Sequence, residues 1–277
     1  MNTNHDSAAK STDARAFTMR ADTSVKSPAL RLKLLFLRAS AVLFSFILLF
    51  ILLITSFEAV CYWTPDLYTK EFAKHNVQNE LRYWRGEEMS MESLEDLMHH
   101  TMAYLRGDRE NLIVEEEISG KRVEFYNADE KSHMADVRVI FVRSIFLRAI
   151  GILTCLAIAA AGIVLAGLRQ ELGILGRGYL RVCLFMLMLA ALIGLWAARD
   201  FTGFFTRFHE VFFSQGNWMF DPRESRMICV MPEGFFSDIA GRWLGTFLGS
   251  IVVLAVPAAL LRRGIRSKKP ASGRKPA

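Results

Sequence analysis

The sequence predicts an all-α membrane protein: four transmembrane helices with both termini in the cytoplasm (N-in/C-in), a small α+β extracytoplasmic cap, and an interfacial aromatic loop. Three observations predict it. Four stretches, Ala39 to Phe57, Ile145 to Leu168, Tyr179 to Ala198 and Trp243 to Leu261, are apolar and long enough to cross a hydrocarbon core, which takes about 20 helical residues. Basic residues concentrate outside two long loops. One of those loops carries more aromatic surface than a water-exposed connection tolerates.

The 277 residues are 52% hydrophobic with a formal charge of +6, too apolar for a soluble domain of this size and too charged for a bare membrane bundle. Backbone amides in lipid must bond within their own segment, so the spans are helices. Lys plus Arg outnumber Asp plus Glu by seven to three over residues 1–38, three to one over 169–181 and seven to none over 262–277. Acids outnumber bases by eighteen to eleven over 58–143 and six to five over 199–242. The positive-inside rule then puts the first three blocks in the cytoplasm and the two loops outside. The basic excess meets anionic lipid, and no nucleic-acid partner is expected. Residues 1–33 read as a disordered cytoplasmic tail, 34–262 as the four-span domain with extracytoplasmic loops 58–143 and 199–242, and 263–277 as a basic cytoplasmic tail. The first span lies too far from the start for a signal peptide and is expected to remain as an anchor.

The first loop carries its own structure. Ser90 caps a helix in which Met91, Leu94, Leu97, Met98, Met102 and Leu105 recur at helical spacing before Gly107 stops it. "NLIVEEEISGKRVEFYN" reads as a hairpin turning at Ser119-Gly120. The cap is too short to hold a large core and should lean on the membrane surface. Asn127 or Asp129 then caps a helix that enters the second span without a Gly or Pro break.

The second loop holds Phe201, Phe204, Phe205, Phe208, Phe212, Phe213, Phe220, Phe235, Phe236 and Trp218. It reads as a short amphipathic helix through His209, turns at Gly216-Asn217 and Asp221-Pro222, and a helix starting at "PEGFF", with Pro232 in its first turn and Glu233 at its positive end. Cys155 and Cys183 fall within spans as packing residues, and Cys61 and Cys229 can in principle pair outside.

His133 and His209 stand at loop-to-membrane junctions on the same side. Glu130 and Asp136 flank His133 at three-residue spacing, which puts acid, imidazole and acid on one helix face. An Asp beside imidazole fixes its tautomer and supports imidazolium, and Asp136 is first choice for that role. Arg143 and Arg148 can hold a phosphate, a carboxylate or a developing oxyanion; for Arg148 snorkelling toward headgroups is the favoured reading. His5, His75, His99 and His100 read as exposed. No GxSxG, HExxH, P-loop or dinucleotide turn is present. What remains is acid–base chemistry, or a metal site of irregular spacing from His133, His209, Asp136, Glu210 and Asp221.

"FYNADEKSHMADV", "FHEVFFSQGNWMFDP" and "MPEGFFSDIA", in this order and with four spans, resemble a family of bacterial integral membrane proteins, the lipoprotein intramolecular transacylases. The likeness covers roughly residues 35 to 262. It implies transfer of the sn-2 acyl chain of a diacylglyceryl-cysteine lipoprotein to that cysteine's own α-amino group in the bacterial cell membrane, giving a lyso-form lipoprotein. It implies as partners a diacylated lipoprotein and membrane lipid, and no cofactor or metal. The family's two motif histidines match His133 and His209, and Asp136, Asn217, Trp218 and Asp221 match the polar groups around them. Ser225 stands where the resemblance implies an acid, a departure that bears on substrate choice. In this reading His133 is the base for the amine, oriented by Asp136, and His209 the acid toward the ester oxygen, with the exchange of roles open. Glu130, Arg143, Asn217, Trp218, Asp221 and Glu233 support the substrate. The alternatives are a non-catalytic membrane scaffold and a metal-dependent lipid hydrolase.

Overall fold

The computed structural model describes residues 27–213 and 216–266. The chain begins with α1 (Pro28–Trp63), capped by Ser27, so helix starts inside the stretch read as tail. Residues 1–26 and 267–277, most of the two predicted tails, lie outside the described residues. The short helices α2 (Leu67–Lys74) and α3 (Val77–Arg85) precede α4 (Met91–Arg106). Strands β1 (Glu115–Ile118) and β2 (Lys121–Glu124) follow, then α5 (Ala128–Ala166) and α6 (Leu168–Arg199). The last elements are α7 (Phe201–Phe212), α8 (Arg226–Val230) and α9 (Glu233–Arg266). Helices α1, α5, α6 and α9 are long and apolar enough to cross a membrane, as the four apolar stretches predict.

Helix α4 forms where its period places it. The Ser90 hydroxyl accepts the Ser93 amide at 3.0 Å, and Gly107 closes the helix at φ 94°. β1 and β2 pair antiparallel, Glu115 opposite Glu124 and Ile118 opposite Lys121. Their two-residue turn needs positive φ twice, and Ser119 and Gly120 adopt 52° and 76°. Helices α2 and α3 were not legible: each is short, and each is entered through a left-handed residue, Asp66 or Asn76, without a side-chain cap.

The cap holds more core than its length predicts. The largest apolar cluster of the described residues lies in it, built around Phe72, Leu81, Leu94, Leu97, Phe125 and Tyr126 and completed by Val60, Met134 and Phe235 from the bundle helices. Borrowing the ends of α1, α5 and α9 gives a short loop the core that it cannot build alone. Phe235 stacks on Phe72 at 5.9 Å and on Tyr68 at 6.2 Å, a burial worth about 2 kcal/mol.

In the bundle, small residues let backbones meet. A Cβ at Gly178 would stand 2.9 Å from the Ala41 carbonyl oxygen, so α6 lies directly on α1. The Tyr179 hydroxyl donates to Ile251 O at 2.9 Å and Trp243 Nε1 to Leu53 O at 2.9 Å, tying α6 to α9 and α9 to α1. The predicted connection 169–181 is instead helical from Leu168 onward, and the chain reverses at Gly167 alone, at φ 81°. Arg148 does not snorkel: it pairs with the buried Glu58 of α1. All four cysteines are free thiols. Cys229 Sγ donates to the carbonyls of Pro222 and Ser225 at 3.4 Å, so the Cys61–Cys229 bridge is not formed.

Candidate active site

Helix α5 is 39 residues long, about 58 Å at 1.5 Å per residue, nearly twice the hydrocarbon thickness. Its apolar part is 145–166, and the first four turns, 128–144, extend beyond it. Asn127 rather than Asp129 caps this extension. Its side chain accepts the Glu130 amide at 2.9 Å while Glu130 Oε2 accepts the Asn127 amide at 2.7 Å, a reciprocal capping box. One turn on, His133 faces Phe213 and Phe220 of the second loop. His209 sits in the last turn of α7, a helix capped by Asp200, whose Oδ1 accepts the Gly203 amide at 2.8 Å.

These two elements bring the histidines together. Their ring centroids lie 5.9 Å apart with planes 28° from parallel, and each residue is only 7% exposed. Phe213 touches both, at 4.8 Å from His133 and 5.4 Å from His209. Phe220 lies 5.8 Å from His133, and Phe205 and Trp218 lie 4.1 and 5.0 Å from His209. Gly216, at φ 76°, turns the chain back so that Asn217 and Trp218 face the pair.

Burial lowers the pKa of both imidazoles. His133 is pushed down to about 4, by burial first and by the neighbouring His209 second, against an opposing pull from Asp136. His209 is lowered by burial, with its bond to the Phe205 carbonyl acting the other way. Both rings are therefore neutral at pH 7. His209 Nδ1 lies 2.7 Å from Phe205 O. A carbonyl can only accept, so Nδ1 carries the proton and Nε2 keeps its lone pair.

The expected orienting bond from Asp136 to His133 Nδ1 is not formed. His133 Nδ1 is buried without a hydrogen-bond partner, and the Asp136 carboxylate accepts from Asn217 Nδ2 at 3.1 Å. Because the carboxylate must accept, the Asn217 nitrogen faces it; that nitrogen also reaches Ser132 Oγ at 3.3 Å. Asn217 Oδ1 is left buried and unpartnered. The pocket thus presents a nitrogen of His133 and an oxygen of Asn217 without a hydrogen-bond partner among the described residues, a costly state unless a ligand meets them.

The remaining predicted residues have other positions. Glu130 is a clamp: Oε1 accepts from Ser225 Oγ at 2.5 Å and from the Met227 amide at 2.9 Å, which fixes the start of α8. Ser225 also caps that helix, so an acid there would face Glu130, and the departure at Ser225 has a structural reason. Asp221 is an exposed turn residue whose Oδ1 accepts the Arg223 amide at 2.8 Å. Helix α9 begins just after Pro232, and Glu233 in its first turn accepts from Thr202 Oγ1 at 2.6 Å, holding α7 to α9. Arg143 lies ten residues beyond His133 on α5, exposed and outside the pocket. Glu210 pairs with Arg207 at 2.6 Å, so the irregular metal set read from the sequence is not assembled. Sequence reasoning missed the roles of Phe213 and Phe220, which rest on contacts across the fold with His133, and of the Phe205 carbonyl one turn before His209.

Residues 42–236 match the model of the family described as lipoprotein intramolecular transacylase Lit. No curated protein matches significantly. Among solved structures, the chain is similar to an in meso structure of the membrane integral lipoprotein intramolecular transacylase Lit from Bacillus cereus, with TM-score 0.66, 18% identity, 83% of this chain covered and 98% of that one. A second structure of that protein, carrying a histidine-to-alanine mutation, matches with TM-score 0.63 and 19% identity over 88% of this chain and 100% of that one.

Proposed function

The chain belongs to the lipoprotein intramolecular transacylase family and is an acyltransferase of the bacterial membrane; from that premise we propose that it moves the sn-2 acyl chain of a diacylglyceryl-cysteine lipoprotein onto that cysteine's α-amino group by histidine acid–base catalysis, at the outer membrane–water interface. The observation that carries this reading is the pair of neutral, stacked imidazoles 5.9 Å apart in an aromatic pocket.

The amine nitrogen attacks the ester carbonyl and loses a proton; the tetrahedral carbon then releases the glyceryl oxygen, which gains a proton, leaving an amide and a free hydroxyl. The fixed tautomer of His209 favours the exchanged order of roles: Nε2 of His209 takes the amine proton and, as imidazolium, returns it to the departing glyceryl oxygen, while His133 in its N–H form donates a hydrogen bond to the developing oxyanion. Asn217 Oδ1, free to accept, holds an amine N–H in line. Asp136 acts through Asn217 and through its charge near His133. Donor and acceptor belong to one substrate, so holding them close supplies much of the rate without an enzyme nucleophile. The phenylalanines grip acyl chains and keep water from competing. The exposed apolar side chains of Val211, Phe212 and Met219 suit a loop that rests on the bilayer.

The test is mass spectrometry of the N-terminal lipopeptide of a reporter diacyl lipoprotein. Unchanged total mass with one acyl on the amine and one on the glyceryl group supports the reading. A product that has lost one acyl chain would make the enzyme a hydrolase.

A further inference from the structure

A second group of ionisable side chains lies apart from the histidine pair, where α2 packs on the start of α9. Glu71 and His75 stand one turn apart at the end of α2, and Asp238 faces them from α9. His75 Nε2 is 2.7 Å from Asp238 Oδ2 and 3.7 Å from Glu71 Oε2, and the three potential ligand atoms all lie within 4.8 Å of one another. Glu71 is fully buried, at 0% exposure. Its Oε1 accepts from Arg242 at 2.9 Å, whereas Oε2, sealed from solvent, has no hydrogen-bond partner among the described residues. A buried carboxylate oxygen without a donor is costly and indicates a missing partner.

The neighbouring cations leave room for one. Lys74 Nζ bonds Asp238 at 2.5 Å, but its side chain is 56% exposed and swings into water at little cost. Arg242 holds only the far oxygen of Glu71. Two carboxylates and an imidazole offer an N/O donor set that suits a divalent transition metal. Zinc bonds of about 2.0–2.2 Å set ligand atoms roughly 3.3 Å apart in a tetrahedron; the 2.7 Å His75–Asp238 hydrogen bond opens and the 3.7 Å His75–Glu71 separation closes to reach it.

We propose that Glu71, His75 and Asp238 form a structural site for a divalent transition metal, with zinc the best fit, which clasps the cap to the last span. The first turns of α9 carry Glu233, bonded to Thr202 of α7, and Phe236, 5.5 Å from Phe205, which itself touches His209. Fixing Asp238 therefore stiffens the wall of the histidine pocket. The glycine of "PEGFF" fits the same account: a Cβ at Gly234 would stand 2.7 Å from His75 Cε1, so glycine leaves the imidazole its place.

The experiment uses the full chain purified in detergent, stripped with EDTA and titrated with Zn²⁺ by calorimetry, with thermal melts in parallel. One equivalent bound per chain, a higher Tm with Zn²⁺ than with EDTA, and at least about tenfold weaker binding in His75→Gln support the site. If His75→Gln fails to fold, Asp238→Asn replaces it. The proposal is overturned if the wild type binds no zinc, if the variant binds as tightly as the wild type, or if binding is lost in His133→Gln instead.

Discussion

His209 Nδ1 lies 2.7 Å from the carbonyl oxygen of Phe205, one turn back in α7, and this bond leaves only Nε2 of His209 able to take a proton. His209→Ala should lower the single-turnover rate by about 10²- to 10⁴-fold, the usual worth of a positioned base, without changing Tm by more than a few degrees. His133→Ala should cost a similar factor, and the double variant little more than either alone, since residues of one proton-transfer unit are not additive. Double losses that multiply would separate the two histidines.

The pH profile follows from burial. A lowered histidine pKa means that the neutral ring is favoured in the fold, so the stability it contributes is present above pH 6.5 and is lost as pH falls toward about 4, where His133 titrates. Between pH 6.5 and 8 neither ring should limit the rate, since both are lowered from 6.5. Activity should climb roughly tenfold per unit with the free fraction of the substrate amine, whose ordinary pKa is about 8, and level off above it. A break near 6.5 in a rate series on a diacyl lipopeptide would show an ordinary, solvated histidine at work.

Asn217 joins Asp136 to the pocket through its nitrogen and offers its oxygen inward. Asn217→Ala removes both functions. We expect kcat to fall by about 10- to 100-fold, as for a lost charge-orienting hydrogen bond, with the far-ultraviolet circular dichroism unchanged.

Glu130 should behave as a structural residue. Its carboxylate serves Asn127, Ser225 and Met227 at once, so Glu130→Ala leaves buried donors unmet and should cost about 3 kcal/mol. Ser225→Asp should be comparably damaging, because it sets a second carboxylate against Glu130. Thermal melts of both variants check this, and an undisturbed Tm in Ser225→Asp would contradict the clamp.

Much of this was legible in the sequence where local rules decide. The spans follow from apolar length, the hairpin from Ser119-Gly120, and the α5 start from a cap at Asn127 or Asp129, of which Asn127 serves. The two histidines stand out because each sits at a loop-to-membrane junction on the same side with acids nearby. Partnerships across the fold were not legible. Arg148 finds Glu58, Asp136 finds Asn217, and His75 finds Asp238, each across a separation that only packing closes. The tight reversal at Gly167 was hidden because polar residues 169–171 look like a loop although they continue a helix.

The central claim is tested most directly by the N-terminal lipopeptide of a reporter diacyl lipoprotein, fragmented after exposure to the wild type, to His133→Ala and to His209→Ala at matched expression. The account predicts unchanged total mass, one acyl group on the α-amine and one on the glyceryl unit with the wild type, and an unmodified diacylglyceryl-cysteine with either variant. Acyl transfer that persists at the wild-type rate in either histidine variant would contradict it.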